Sequence, residues 1–305
     1  MRALLIVNPH ATSTNERRRD LLAHALAGEM SLQVARTENR GHAAHLAAAA
    51  ADSGVDVVVV HGGDGTVNEV VNGLMYRGVR PDIPLLAVVP GGSTNVFARA
   101  LGIDPDPTVA TEQILEALAS HSTRTVSLGL AGDRYFTFNA GLGLDAEAVH
   151  GVEKRRQAGS AISNAMHVRL TIARFFRSDR RHPRLTLELP GREPITGAHL
   201  VFVSNVDPWT YFGNHPVRTN PGTSVSTGLG VFAVTNMSVR MGLLAAGELL
   251  TGRTGHSKHI IRANDEPWAT VHCSEPVGMQ ADGDYLGKRN EMQFSSVPNA
   301  LRLVV

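Results

Sequence analysis

The chain has 305 residues, about twice the length of a typical domain, so its length predicts two domains. A hydrophobic fraction of 43% and a mean hydropathy of -0.06 are typical of a folded globular protein and exclude wholesale disorder. Lys and Arg total 29 against 28 Asp and Glu, which excludes attachment to nucleic acid through overall charge. We therefore expect no nucleic-acid partner, and any basic surface must be local.

The cysteine content and the apolar runs indicate the compartment. The one cysteine, Cys273, excludes an internal disulfide and any zinc site with several cysteines, which fits a reducing cytosol. The N-terminal apolar run ends at Asn8 and Pro9, too early for a signal peptide, and predicts a first strand instead. No stretch approaches the roughly 18 apolar residues of a membrane span. We expect a cytoplasmic protein with peripheral contact at the inner face of the membrane.

The first third of the chain alternates compact apolar runs with helical patterns, which predicts a parallel sheet with crossover helices. The predicted strands are 3–7, 32–35, 55–60 and 85–89, and the predicted helices are 14–27, 42–51 and 67–75. Asp106 followed by Pro107 marks the start of a further helix, because Asp is a favoured N-cap and Pro a favoured first residue. These elements predict an α/β domain over residues 1–123.

After Thr123 short apolar runs alternate with glycine turns, which is typical of an antiparallel sheet domain. The runs are TVSLGL, YFTFNAGLGL, RLTLELPG, HLVFVSN, LGVFAVT, ATVHC and ALRLVV, and helices are predicted near 162–176 and 241–250. We predict a second, mainly antiparallel β domain over residues 124–294, with 295–305 as a segment that could return to the first domain.

The strongest chemical motif is HGGDGTVNEVVNG, residues 61–73, which follows the most apolar strand candidate and opens a helix, where open α/β sheets bind ligands. Gly62, Gly63 and Gly65 are predicted to let consecutive amides face one anion, while Thr66 adds a hydroxyl. Asp64 beside a phosphate requires a cation, so it predicts bound Mg²⁺. The alternative is a tight turn in which Asp64 only caps the helix.

A second loop, VVPGGSTNVFAR, has the same placement between a strand and a helix. Two glycine-rich loops at the carboxyl ends of nearby parallel strands can converge on one polyphosphate. Gly92, Ser93 and Thr94 are therefore predicted to form the second wall of a phosphate site.

With these motifs the chain resembles the diacylglycerol kinase catalytic family, which includes bacterial lipid kinases and sphingosine kinases. The motifs are, in chain order, NP (8–9), TENRGHA (37–43), GGDGTVNEVVNG (62–73), PGGSTNVFAR (90–99), FNAGLGLDAEA (138–148) and QADGDYLG (280–287). Their order makes the resemblance specific, because GGDGT alone is shared with NAD kinases and resembles the phosphofructokinase loop. The resemblance implies a phosphofructokinase- or NAD kinase-like nucleotide-binding domain, a β-sandwich lipid-substrate domain, and ATP- and Mg²⁺-dependent phosphorylation of a hydroxyl of diacylglycerol or a related lipid.

The resemblance also implies roles for individual residues. The implied nucleotide contacts are Asn8, Pro9, Thr12, Thr37, Gly62, Gly63, Asp64, Gly65, Thr66, Asn68, Glu69, Gly92, Ser93 and Thr94. Asp64 corresponds to the metal-linked carboxylate. Asp284 corresponds to the catalytic base, although the family has Glu there and Asp is one methylene shorter.

Several positions depart from the family pattern. Ser93, Thr94 and Val96 stand where the family usually has Thr, Gly and Asp, so one acid of the metal network is absent. Thr227 and Gly228 stand where the family has a DG turn linked to a second, structural Mg²⁺. Val96 and the shorter Asp284 support a second hypothesis, a nucleotide-binding regulatory protein that has lost catalysis. A third hypothesis is an NAD kinase. It explains neither the Asn8–Pro9 loop nor the DGD triplet at residues 282–284.

Two basic clusters have alternative interpretations. The first loop lacks the family's usual Gly and Lys, so Arg17, Arg18 and Arg19 are either phosphate partners or a solvated basic helix face. Residues 153–184 contain nine Lys and Arg against two acidic residues. This segment is predicted either to contact an anionic bilayer that holds the lipid substrate or to form a core-packed helix with a solvated basic face. The sequence sets no oligomeric state, and a homodimer is one alternative.

Overall fold

The computed structural model describes residues 1–11, 16–143, 181–255 and 257–305. The chain forms two compact units, Met1–Leu128 with Pro298–Val305, and Gly129–Val297. The first is an α/β unit and the second is dominated by antiparallel strands, so the predicted fold class is confirmed.

The first unit is built on a parallel sheet. Its strands are β1 (Arg2–Val7), β2 (Ser31–Arg36), β3 (Val57–Gly62), β4 (Leu85–Pro90) and the end of the last strand, β16 (Asp284–Val304). Their order is β16-β4-β3-β1-β2, with Leu303 of β16 opposite Leu86 of β4. Every residue of β3 is buried, as expected for a central strand whose apolar run does not alternate.

The helices of the first unit follow the strands in the predicted alternation. They are α1 (Glu16–Glu29), α2 (His42–Asp52), α3 (Asp64–Leu74), α4 (Val96–Ala100) and α5 (Pro107–Ala119). The carboxylate of Asp106 accepts a hydrogen bond of 2.8 Å from the amide of Thr108, which confirms the predicted cap of α5. The short helix α4 was not predicted.

The predicted start of α3 at residue 67 is wrong, because the helix begins at Asp64. Gly63 is its N-cap, and its carbonyl accepts hydrogen bonds from the amides of Thr66 and Val67, at 2.9 and 3.1 Å. The GDGT part of the motif therefore forms the cap and first turn of a helix rather than a loop before it.

The second unit contains a larger, antiparallel set of strands. They are the end of β5 (Thr123–Ala131), β6 (Arg134–Phe136), β7 (Asn139–Gly143), β8 (Leu185–Glu188), β9 (Ile195–Ala198), β10 (Leu200–Ser204), β11 (Thr210–Phe212), β12 (His215–Val217), β13 (Leu229–Val234), β14 (Ile260–Glu266), β15 (Trp268–Ala281) and the first part of β16. The central order is β14-β13-β10-β7-β15-β16, and β8 pairs with both β15 and β9. Strands β11 and β12 form a separate hairpin.

The described helix of the second unit is α6 (Val239–Thr251), which includes the predicted 241–250. It begins after Ser238, whose hydroxyl accepts from the amide of Met241 at 3.4 Å, and ends at Gly252 in the left-handed conformation. The helix predicted near 162–176 lies outside the described residues. Within the described ranges, no helix combines the length and apolar character needed to cross a bilayer.

Candidate active site

The candidate site of the first unit lies where the strand order of its sheet reverses. From β1 the chain crosses to β2 on one side, and from β3 it crosses to β4 on the other, so the loops after β1 and β3 diverge. Ligands of open α/β sheets bind in the crevice between two such loops. Across this crevice the side-chain amide of Asn8 donates to the Thr66 hydroxyl at 3.0 Å, and the amide of Asn8 donates to the His61 carbonyl at 3.0 Å.

The two glycine-rich loops contact each other through their backbones. The amide of Gly91 donates to the carbonyl of Gly62 at 2.8 Å. A Cβ atom at Gly92 would lie 2.7 Å from the Cα of Gly63, and one at Gly91 would lie 2.9 Å from the Cα of Gly62. Because real Cβ atoms do not approach so closely, these glycines permit the contact that brings the two loops together.

The glycines of the first loop do not adopt the special backbone conformations that the sequence predicts. None of Gly62, Gly63 and Gly65 has a positive φ, and Gly63 is extended with φ of -84°. Gly65 lies in the first turn of α3 with nothing within 4 Å of an added Cβ. Close approach, rather than left-handed conformation, therefore explains glycine at the other two positions: an added Cβ would lie 2.7 Å from the Thr66 Cβ at position 62 and 3.2 Å from the Gly92 Cα at position 63.

Asp64 occupies the first position of α3, where the positive end of the helix dipole favours a carboxylate. One of its oxygens accepts a hydrogen bond of 3.4 Å from the amide of Phe97 at the start of α4. The carboxylate thus links the helix that follows the first glycine loop to the helix that follows the second. Val96, at the position of the missing family acid, is buried with 1% exposure.

The second glycine loop is closed by a residue that the sequence argument did not single out. The side chain of Asn95 accepts from the amide of Gly92 at 2.9 Å and donates to the Gly92 carbonyl at 2.7 Å. Asn95 has φ of 48° and ψ of 51°, a left-handed conformation that Asn tolerates better than most residues. Ser93, between these two residues, is exposed, and Thr94 is half-buried.

Glu69, an implied nucleotide contact, forms hydrogen bonds to backbone amides. Its two carboxylate oxygens accept from the amides of Gly41 and Ala43, at 2.8 and 3.2 Å, at the start of α2. A carboxylate at a helix N-terminus stabilises it through both hydrogen bonding and the helix dipole. The backbone amide of Thr37 donates to the Val7 carbonyl at 2.9 Å. Glu69 therefore fixes the TENRGHA segment against α3.

The remaining predicted site residues of this unit differ in their burial and in their hydrogen-bond partners. Asn68 is fully buried, and its backbone and side-chain oxygens accept from the side chain of Asn72 at 2.9 and 3.2 Å. Arg19 is buried and pairs with Asp20 at 3.0 Å, while Arg17 is exposed. Pro9 is exposed in the loop after β1. Thr12 and most of the basic segment 153–184 lie outside the described residues, as does the side chain of Arg18.

In the second unit the QADGD motif forms a tight β-hairpin between β15 and β16. Ala281 pairs with Asp284, and the two residues between them, Asp282 and Gly283, have φ of 47° and 78°. Two consecutive positive φ values define the hairpin turn that favours Asp-Gly, because its twist matches that of the strands. The Asp-Gly pair is thus required by the turn itself.

The carboxylate of Asp282 connects this turn to the FNAGLG motif. It accepts from the backbone amides of Thr137, Phe138 and Asn139, at 2.6, 3.0 and 3.1 Å, and from the Thr137 hydroxyl at 2.7 Å. Burial raises the pKa of Asp282, and these donated hydrogen bonds act in the opposite direction. The carboxylate therefore joins two motifs that lie far apart in the sequence.

Further amide side chains extend this arrangement. The side chain of Gln280 donates to the Asn139 side-chain oxygen at 2.8 Å and accepts from the amide of Gly283 at 3.0 Å. The side chain of Asn139 in turn donates to the Trp209 carbonyl at 3.0 Å. These residues and Asp282 form a buried polar network that fixes the hairpin.

Asp284, the implied base, follows the turn and forms an ion pair. Its carboxylate lies 2.7 Å from the Nη2 atom of Arg134, with both side chains about one-quarter exposed. Arg134 comes from β6, directly after a turn, so the ion pair joins two hairpins of the same unit. Asp284 is thus a partly exposed carboxylate on a fixed backbone.

Thr227 and Gly228, which stand where the family has a DG turn, form hydrogen bonds with other protein groups. The Thr227 hydroxyl accepts from the amide of Ser224 at 3.0 Å, and the amide of Gly228 donates to the Asp265 carboxylate at 2.6 Å. Across the described residues, no group of three or more His, Cys, Asp and Glu side chains is arranged to hold a metal ion. Burial raises the pKa of Cys273 to about 11, so its thiol stays protonated at neutral pH.

These features define a protein with an α/β unit that carries two touching glycine-rich loops and with a strand-rich unit. Residues 2–130 match the family described as diacylglycerol kinase catalytic domain. The resemblance to the diacylglycerol kinase catalytic family that the motifs indicate is confirmed.

Curated relatives carry matching names. The chain is 38% identical over 160 residues to a diacylglycerol kinase of Bacillus subtilis (strain 168), which covers 50% of each protein. It is 41% identical over 140 residues to a diacylglycerol kinase of Staphylococcus aureus (strain MRSA252), which covers 44% of this chain and 41% of the relative. The matched region thus spans about half the length, or less, of these relatives.

Solved structures extend the likeness to the whole fold. A crystal structure of a diacylglycerol kinase from Bacillus anthracis str. Sterne matches with a TM-score of 0.72 and 21% sequence identity, covering 99% of this chain and 96% of that one. At this identity the likeness shows the fold alone, and it includes both the α/β unit and the strand-rich unit.

Proposed function

We propose that the protein is an ATP- and Mg²⁺-dependent lipid kinase that transfers the γ-phosphate of ATP to a hydroxyl of diacylglycerol or a related lipid. The observation that carries the proposal is the backbone contact of two glycine-rich loops beside the reversal point of the sheet, with Asp64 opening α3. The kinase family domain in residues 2–130 supports phosphoryl transfer. The names of the relatives support a lipid acceptor rather than NAD.

We assign the phosphate chain of ATP to the crevice beside these loops. Backbone amides of the loops and the N-terminus of α3 supply the positive potential that phosphate requires. The hydroxyl of Thr66, held by Asn8, and that of Ser93 are assigned as further donors. Asn95 keeps the second loop closed, which preorganises the site before nucleotide binds.

Asp64 is the residue that would hold Mg²⁺. Mg²⁺ is commonly bound by one or two carboxylates together with substrate phosphates, so a single carboxylate at this position fits the ion although Val96 supplies no second one. When bound, Mg²⁺ would offset the negative charge of the phosphate oxygens. Asp64 itself is kept in place by its position at the helix start and by the Phe97 amide.

Asp284 is assigned as the proton acceptor. In the transfer, the lipid hydroxyl oxygen forms a bond to the γ-phosphorus as the bond from that phosphorus to the bridging oxygen of ADP breaks, and the hydroxyl proton moves to the Asp284 carboxylate. A base of this kind contributes a factor on the order of 10² to 10⁴ in rate. Arg134 orients the carboxylate through their ion pair.

The test is transfer of labelled phosphate from ATP to a total lipid extract presented in detergent micelles, with the product identified by mass. We expect lipid-dependent ADP release, which falls by at least about 10² in Asp64→Asn because the developing charge loses its main stabiliser. Glu112→Gln removes an exposed carboxylate of α5 in the same unit and should leave turnover unchanged. Normal turnover in Asp64→Asn would refute the metal role.

A second candidate function is that of a nucleotide-binding regulatory protein without transferase activity. It is favoured by the buried Val96 in place of an acid and by the engagement of Asp284 with Arg134. This candidate predicts ATP binding in calorimetry without phosphate transfer to any lipid of a broad panel. NAD is included as a further phosphate acceptor, because NAD kinases share the GGDGT motif.

A further inference from the structure

Helix α6 of the second unit presents apolar side chains on two opposite faces. The inner face packs Met241, Ala245 and Leu249 against a core cluster that contains Phe202 and Phe232. The exposed large apolar residues of the helix are Val239, Leu243, Leu244 and Leu250, and all but Leu244 lie on the outer side. A surface helix of a globular protein normally has a polar outer face, so this outer side requires an explanation.

The helical geometry gathers these outer residues together. At 3.6 residues per turn, Val239, Leu243 and Leu250 lie within about 40° of one another around the helix axis. Leu243 is 71% exposed, the highest value among the large apolar side chains that the structure describes as exposed. Moving such side chains out of water is favourable, so a partner that covers them would gain binding energy.

The neighbouring β11–β12 hairpin continues this apolar surface. The His215 ring bonds the Leu250 carbonyl at 2.6 Å, and the amide of Arg218 donates to the Leu249 carbonyl at 2.8 Å, so the hairpin lies against the end of α6. Phe212, paired with His215 in the hairpin, is 49% exposed. We call Val239, Leu243, Leu250 and Phe212 the α6 surface.

The charges around the α6 surface are of one sign. Arg240, Arg253 and Lys258 are all exposed. Between residues 238 and 260 the one acidic residue is Glu248, which is buried and pairs with the Nη1 atom of Arg262 at 2.7 Å. The apolar surface therefore has cations beside it and no exposed carboxylate within this segment.

We propose that the α6 surface docks the protein onto an anionic lipid bilayer. The apolar side chains would enter the boundary between headgroups and acyl chains, while the three cations contact lipid phosphates, which is the combination that interfacial helices use. The inference rests on the proposed function, since a lipid kinase must reach a substrate that resides in a membrane. It assigns the contact to a part of the chain other than residues 153–184.

The test is co-sedimentation of the full-length protein with vesicles of phosphatidylglycerol and phosphatidylcholine. We expect Leu243→Glu combined with Leu250→Glu to weaken binding by about tenfold or more, because two buried apolar contacts become charged. Arg240→Gln combined with Arg253→Gln should weaken binding to phosphatidylglycerol vesicles only, and high salt should have the same effect. The matched control is Val109→Glu, an exposed apolar residue of α5, which should bind as the unmodified protein does.

Thermal unfolding that coincides with the unmodified protein shows that each variant is folded. The proposal is overturned when the folded double-Glu variant binds vesicles normally. It is also overturned when sedimentation velocity shows that this variant turns a dimer into a monomer, because the α6 surface is then an interface between copies. The micelle assay separates the two proposals. If the protein transfers no phosphate but its vesicle binding depends on the α6 surface, the kinase proposal alone is contradicted. If the protein is an active kinase but its vesicle binding does not depend on the α6 surface, the docking proposal alone is contradicted.

Discussion

The two regions that carry the candidate chemistry are fixed by different kinds of contact. In the α/β unit, the glycine loops are fixed by backbone packed on backbone, with Gly92 against Gly63 and Gly91 against Gly62. In the strand-rich unit, the hairpin before Asp284 is fixed by one buried carboxylate, that of Asp282. The first region depends on the absence of side-chain atoms, and the second depends on one particular set of side-chain atoms.

This difference predicts different sensitivities to mutation. Where backbones touch, a single methyl group is damaging and polarity is secondary. Where a carboxylate satisfies several buried donors, removal of the carboxylate is damaging, even when the smaller side chain fits, because the donors lose their partners. The predictions below test that contrast through the free energy of unfolding and, at the end, through catalysis.

The largest effect on stability is expected for Asp282→Ala. Three backbone amides and one hydroxyl would lose their acceptor, and each unsatisfied buried donor costs about 1–3 kcal/mol, so we expect a loss of at least about 3 kcal/mol. Urea unfolding followed by circular dichroism measures it.

Asp282→Asn separates the carboxylate from the turn. Asn tolerates the positive φ of position 282, so the hairpin turn is kept, but its NH₂ group faces backbone donors. We expect this variant to lose stability as well. If it is as stable as the unmodified protein, the turn preference and not the carboxylate fixes the hairpin.

A smaller loss is expected for Gly92→Ala. Its Cβ would lie 2.7 Å from the Cα of Gly63, and such overpacking costs about 1–3 kcal/mol. The control is Gly65→Ala, where an added Cβ meets nothing within 4 Å and the helix gains about 0.5–1 kcal/mol. Opposite signs for the two variants in urea unfolding support the close-approach explanation, and equal effects contradict it.

His61, which precedes the glycines, predicts a dependence on pH. Its side chain is buried, and its Nδ1 atom donates to the Val89 carbonyl at 3.2 Å. Burial lowers the pKa of His61 below its usual 6.5, so below pH 6.5 the unfolded chain binds the proton more readily than the folded one. Stability is therefore lost as the pH falls below 6.5, by at most about 1.4 kcal/mol per pH unit.

The measurement is urea unfolding at a series of pH values for the unmodified protein and for His61→Gln. The difference in free energy of unfolding between the unmodified protein and His61→Gln should grow smaller as the pH falls, since only the unmodified protein has the buried imidazole. If the free energy of unfolding of the two proteins changes with pH in parallel, the pKa of His61 does not differ between the folded and unfolded states.

Much of the α/β unit was predictable from local patterns. The valine run of β3 and the Asp106–Pro107 start of α5 are signals confined to a few residues, and both predictions are confirmed. The start of α3 was missed because the Gly63 cap uses its backbone and leaves no side-chain signal. Asn95 carries a signal in its residue type, since Asn is a favoured N-cap residue and tolerates the left-handed conformation.

The network around Asp282 could not be predicted from the sequence. Asp282 and Thr137 are 145 residues apart, and no periodicity or spacing indicates which buried donors a carboxylate meets across a sheet. Glu69 illustrates the same limit, because its place in the GGDGTVNEVVNG segment does not indicate the hydrogen bonds that it accepts from Gly41 and Ala43 at the start of α2. Tertiary contacts decide such roles, and local patterns do not contain them.

The smallest change in stability is expected for Arg134→Gln. The Arg134–Asp284 ion pair is partly exposed, and such pairs contribute at most about 1 kcal/mol, far less than the buried bonds of Asp282. Arg184→Gln is the matched control, because Arg184 pairs with Glu275 at the same 2.7 Å distance in the same unit. Both variants should unfold within about 1 kcal/mol of the unmodified protein.

Catalysis should distinguish these two variants. Because Arg134 orients the proposed base, its loss should lower kcat while the Kd for ATP stays constant, whereas Arg184→Gln should change neither quantity. Equal kcat values for the two variants would mean that the ion pair has no positioning role. A stability loss in Arg134→Gln as large as that of Asp282→Ala would mean that the exposed ion pair, and not the buried carboxylate, holds this end of the hairpin.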